Sequence, residues 1–223
     1  MRKFMTSRRR WGREGGPDED WVRPHVLWLP QDQPRVITYF ERLREITSRY
    51  PDIVAPVAAD DLHMTIQSIR AHTADGTRVD AALIADAADA VRHELADLDP
   101  FTVEIGPARA GGSAALAEIW PEHGPDALYR RVRTALTAAG LELPPAEDHF
   151  WCHMSAGYGV QDTDTPHLAA LSDRLASDLG RAIRPGIRTT ATIASVWLVW
   201  ERQHPDTARY TFERLHEVPL GTP

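Results

Sequence analysis

The chain of 223 residues has one cysteine, one lysine and no asparagine. With Cys152 alone, no internal disulfide can form, and the thiol fits a reducing compartment, so a cytoplasmic location is expected. No apolar run approaches the ~20 residues that a membrane helix needs, which excludes a helical span and any membrane partner built on one. The opening stretch from Met1 to Arg10 is basic, but no apolar core follows it, so a secretion signal is not expected either. The shortage of lysine and asparagine reads as coding bias and carries no functional information.

What is present describes an ordinary globular protein. Hydrophobic residues make up 43% and charged residues 26%, and the length allows one sizeable core or two small lobes sharing an interface. Charge is unevenly spread. Residues 1–14 hold six basic side chains and one acidic one, leaving 19 basic against 31 acidic in the remainder. A body that acidic is poorly suited to tracking a long phosphate backbone, whose affinity comes mainly from Lys and Arg. Small nucleotides or RNA ends suit it better. Residues 1–20, with Gly15, Gly16 and Pro17, read as a flexible basic leader, and residues 21–223 as a single bilobal domain.

Within that domain the hydrophobic pattern changes period several times. A short strand at His25 to Pro30 precedes a helix opened by Pro34, with Val36, Ile37, Phe40, Leu43 and Ile46 at helical spacing. A loop through Pro56 leads to a strand around His63, and a helix follows over 79–95. A strand at 101–106 ends at the Gly111-Gly112 turn. The order then repeats. Ala115 to Trp120 reads as a strand, Asp126 onward as a helix closed by Gly140, His153 lies in a strand, and Thr165-Pro166 caps another helix. Residues 191–201 and 208–216 read as two closing strands. The pattern predicts an internal repeat over 22–98 and 113–182.

Equivalent places in the two repeats carry Leu62-His63-Met64-Thr65-Ile66-Gln67 and Cys152-His153-Met154-Ser155-Ala156-Gly157-Tyr158. In a strand, alternate residues share a face, so His63, Thr65 and Gln67 point one way, as do His153 and Ser155. A histidine titrating near pH ~6.5 can take or give a proton at neutral pH, and a hydroxyl about 7 Å along the same face can grip a neighbouring oxygen. A single His-x-hydroxyl tripeptide is commonplace. Two of them at matching positions of a duplication can be aimed at one cleft.

These paired motifs, their separation and the strand–helix order resemble the two-histidine (2H) phosphoesterase superfamily, in its 2′-5′ RNA ligase and cyclic phosphodiesterase branch. His25-Val26-Leu27-Trp28-Leu29-Pro30 and the closing Trp197 to Trp200, Tyr210 and Pro219-Leu220-Gly221 are also similar to the family's blocks. The resemblance implies an α+β fold of two pseudo-symmetric lobes of antiparallel sheet with outer helices around a central cleft. It further implies reaction at a 2′,3′-cyclic phosphate or a 2′-5′ phosphodiester without a cofactor or metal. His63 and His153 would be the catalytic acid and base, with Thr65 and Ser155 holding the phosphate oxygens. Gln67, Tyr158, His25 and Arg202 are further candidates for substrate contact, and one of the seven tryptophans near the cleft could stack a base. The expected partner is a small nucleotide or an RNA 3′ end, acted on by a monomer with no obligate protein partner.

Two other classes fit parts of the sequence. A noncatalytic module of the same fold could bind a nucleotide or RNA end. His149, Cys152 and His153 could instead hold a metal if that segment were helical.

Overall fold

The computed structural model describes residues 1–5, 22–182 and 188–221. Nine strands and four helices are distributed over two antiparallel sheets among these residues. The strands are β1 (Val22–Trp28), β2 (Val54–Pro56), β3 (Met64–Ser68), β4 (Phe101–Ala110), β5 (Ala114–Trp120), β6 (His153–Gly159), β7 (Thr189–Ile193), β8 (Ser195–His204) and β9 (Arg209–Pro219). The helices are α1 (Pro34–Thr47), α2 (Ala81–Leu95), α3 (His123–Ala138) and α4 (Pro166–Arg181).

Local chemistry accounts for the helix ends. Pro34 opens α1, where its missing N–H costs nothing. The Asp80 carboxylate accepts from the Leu83 amide at 2.9 Å and starts α2. Thr165 does the same for α4 through the Leu168 amide. After α3, Gly140 adopts φ +81°, a left-handed turn that glycine enters without strain.

One sheet has the order β3-β1-β8-β9 and the other β2-β6-β5-β4-β7. The two segments expected to repeat pair their strands alike. Each histidine strand lies antiparallel to the opening strand of its own repeat, β3 on β1 and β6 on β5. The helices do not follow that division. Helix α1, from the first repeat, packs on β6 and β7 of the five-stranded sheet, while α3, from the second, packs on β3 of the four-stranded one. The lobes are therefore assembled from interleaved segments, and one continuous apolar core runs through both.

Three features depart from the sequence expectation. Residues 191–201 are not one strand. The chain leaves the five-stranded sheet after Ile193, crosses at Ala194 and enters the four-stranded sheet at Ser195. An unbroken β-prone run hides such a crossing, because both sides have the same local conformation. Residues 54–56, expected in a loop, form β2 against β6, with Ala55 opposite Tyr158. Gly157 permits that approach, since a Cβ there would sit 2.6 Å from the Val54 side chain.

The third departure is at the start of the expected leader. Residues 1–5 lie against the body: Met5 is 3% exposed, the Phe4 amide donates to the Gly159 carbonyl at 2.8 Å, and the Arg2 amide to the Gly112 carbonyl at 2.6 Å. A segment this short shows no periodic apolar face, so its apolar side chains could not be read as packing. Residues 6–20 lie outside the described residues.

Candidate active site

Strand β3, which His63 immediately precedes, and β6, which His153 opens, border one cleft with a cavity of about 540 Å³. His63 and His153 line it together with Thr65, Ser155, Gln67, His25 and Tyr158. The alternation expected for these strands is seen in the burial. Met64 and Ile66 are buried while Thr65 is exposed, and Met154 and Ala156 are buried between partly open His153 and Ser155.

Each imidazole is tied to its own chain two residues upstream. His63 Nδ1 lies 2.8 Å from the Asp61 carbonyl, and His153 Nδ1 lies 3.0 Å from the Trp151 carbonyl. A carbonyl can only accept, so Nδ1 carries the hydrogen in both rings. That leaves both Nε2 atoms for the cavity. The turn presenting His63 is braced from a distance, because Arg209 donates through Nε and Nη2 to both oxygens of the Asp61 carboxylate.

The electrostatics keep the imidazoles neutral. Burial pushes His63 down to about 4, with His153 across the cleft acting in the same direction. Burial also lowers His153, opposed by its bond to the Trp151 carbonyl and by Glu147 and Glu118. Both rings thus present a basic Nε2 lone pair at neutral pH, and an anion lodged between them would draw a proton onto one.

The remaining candidates separate by position. Gln67 accepts from Arg133 Nη1 at 2.9 Å and donates to the Ser68 carbonyl at 2.7 Å, so it joins β3 to α3 at the cleft wall. Tyr158 packs between Phe4 and Tyr210, at ring distances of 4.6 Å and 5.2 Å. His25 is 3% exposed, with Nδ1 3.2 Å from the Arg23 carbonyl and Nε2 3.8 Å from Glu201. Burial pushes it down to about 3. Arg202 is not in the cleft. It alternates along β8 with Glu201, which faces the cleft, and so lines a separate cavity beside Val22 and Trp200.

The alternative metal set of His149, Cys152 and His153 does not converge. Residues 149–152 are not helical. Cys152 is buried, donates its Sγ–H to the Ile119 carbonyl at 3.2 Å and is pushed up to about 11 by burial. His149 instead lies 3.0 Å from Glu122. Among the described residues, no group of three His, Cys, Asp or Glu side chains is placed to hold a metal ion.

Sequence reasoning missed Arg133, whose guanidinium lines the cleft, donates to the Pro144 carbonyl at 3.0 Å and lies over the Tyr129 ring. It is one of three arginines in Arg130-Arg131-Val132-Arg133. The available signal was its spacing of four from Tyr129, which places both on one side of α3.

Comparison with known proteins agrees with this architecture. Residues 30–205 match the 2′-5′ RNA ligase superfamily. No curated protein matches the chain. Among solved structures, TT0787 of Thermus thermophilus is similar with a TM-score of 0.62 at 13% identity, over 90% of this chain and 98% of that one. LigT of E. coli, complexed with 3′-AMP, is similar with a TM-score of 0.60 at 16% identity, over the same shares. The PDE domain of MHV ns2 gives a TM-score of 0.50 at 10% identity, over 89% of this chain and 99% of that one. At these identities the structures speak to the fold, and the sequence match carries the family assignment: the chain belongs to the 2′-5′ RNA ligase superfamily, among the two-histidine phosphoesterases.

Proposed function

We propose that the protein is a phosphodiesterase acting on a 2′,3′-cyclic phosphate or a 2′-5′ phosphodiester, at RNA ends or on small nucleotides, with His63 and His153 as the proton-transferring pair. The observation that carries this reading is the pair of carbonyl-anchored imidazoles in one cavity, each with a hydroxyl, Thr65 or Ser155, two residues along its strand. The nucleotide ligand of LigT, 3′-AMP, is of the chemical type expected here.

In the hydrolytic direction one imidazole Nε2 takes a proton from water as its oxygen bonds to phosphorus. The other imidazole, protonated at Nε2 in the presence of the phosphate, gives its proton to the ribose oxygen as the P–O bond breaks. Thr65 and Ser155 donate hydrogen bonds to the nonbridging oxygens, where charge builds in the transition state. With a ribose 5′-hydroxyl in place of water as the nucleophile, the same two proton transfers open the cyclic phosphate and give ligation.

The test is a panel of the four nucleoside 2′,3′-cyclic phosphates incubated with the purified protein in EDTA. Turnover to a monoester that disappears in His63→Ala and in His153→Ala is expected. Activity that needs added metal, or single histidine variants with normal turnover, would remove the reading.

A further inference from the structure

Trp151 is 42% exposed at the rim of the cleft, so burial of apolar surface does not explain a tryptophan there. It contacts His153 twice. Its carbonyl accepts from Nδ1, and its indole stacks on the imidazole with ring centroids 4.2 Å apart and planes inclined by 26°. The Arg109 guanidinium lies over the indole, 5.5 Å from its centroid, and donates from Nε to Glu118 at 2.9 Å. Glu118 is in turn the cross-strand neighbour of His153. The four residues thus close a loop of contacts around one imidazole. His63 has a different setting, with Phe212 and Tyr210 meeting its ring edgewise at 4.7 Å and 5.9 Å.

We propose that Trp151 is a positioning residue for His153, holding the plane and tautomer of the imidazole so that Nε2 faces the reacting phosphate, and favouring its protonated form through the stacked π face. An imidazole held only by its Nδ1 bond can still swing about that bond. The stacked indole removes this freedom, and it attracts a cation more than a neutral ring. The charged groups facing His153 are Glu147 and Glu118, which favour its proton, and Arg109, which opposes it. The indole adds to the first side. The catalytic consequence rests on the phosphodiesterase reading, whereas the effect on His153 itself does not.

The experiment compares wild-type protein with Trp151→Ala and Trp151→Phe by NMR titration of the histidine ring protons and by kinetics on a nucleoside 2′,3′-cyclic phosphate. In Trp151→Ala the His153 titration should move down by roughly half a unit, the size of an exposed cation–π contact, with His63 little changed. The kcat should fall roughly tenfold, a modest loss for a displaced catalytic group, with KM within about twofold. Trp151→Phe should recover most of both effects. An unmoved His153 titration in Trp151→Ala overturns the proposal. So does a rise in KM at constant kcat, which would make Trp151 a surface on which the substrate stacks. If wild-type protein turns over no cyclic phosphate, the reaction reading fails while the titration still decides the positioning role.

Discussion

The carboxylate of Asp61 is held on both oxygens by the guanidinium of Arg209, 148 residues later in the chain. The carbonyl of the same aspartate accepts from His63 Nδ1. Asp61 is 5% exposed, so removing Arg209 strands a buried carboxylate. Arg209→Ala should therefore destabilise the fold by about 1–3 kcal/mol, the usual cost of leaving a buried group unpaired. Arg209→Lys should recover little, because an ammonium cannot grip both oxygens. Urea unfolding of the two variants checks both statements, and equal stability of wild type and Arg209→Ala would refute them.

On the proposed mechanism, His63→Ala and His153→Ala should each lower kcat by about 10²–10⁴, the range for one proton-transferring group. The double variant should lose much less than the product, since acid and base serve one transition state. Thr65→Val and Ser155→Ala should cost about 10²–10³. Single-turnover rates on a cyclic phosphate measure all of these.

Stability should fall on acidification. The unfolded chain takes up a proton at each histidine below about pH 6.5, whereas His25 in the native state stays neutral until about 3. Its contribution is complete above 6.5 and is lost as the pH drops toward 3. At pH 5 the loss from His25 is at most about 2 kcal/mol, at about 1.36 kcal/mol per unit. His63 acts in the same direction, down to about 4. Urea midpoints at pH ~7.5 and ~5, on either side of the unfolded-state histidine titration, should differ less in His25→Gln than in wild type.

The packing of residues 1–5 makes Gly159→Ala informative. A Cβ at that position would collide with the Arg2 carbonyl oxygen, so the substitution should displace the segment. Withdrawal of Met5 from the core should cost about 2–5 kcal/mol, comparable to truncating a buried methionine. Met5→Ala should show a loss of similar size, and thermal unfolding of the two variants tests the comparison.

Much of the fold was legible in local signals. Proline and threonine marked α1 and α4, and alternation put His63 with Thr65 and His153 with Ser155 on the correct faces. What was illegible depended on contacts distant in sequence. Arg202 and Glu201 are adjacent, and only the sheet's placement shows which one faces the cleft. Arg133 lies in a basic helical run that reads as a solvated surface until β3 brings Gln67 to it. The Arg209–Asp61 pair joins positions 148 residues apart, which no local pattern reveals.

The interleaving of the two repeats also bears on how the cleft can move. The chain passes between the two sheets six times, from β1 to α1, from β2 to β3, from α2 to β4, from β5 to α3, from α3 to β6 and at Ala194. A hinged enzyme opens by bending one or two linkers. Here every crossing would have to flex together, which opposes hinge opening between His63 and His153. On the proposed mechanism, the phosphate of a substrate would have to fit that spacing on arrival.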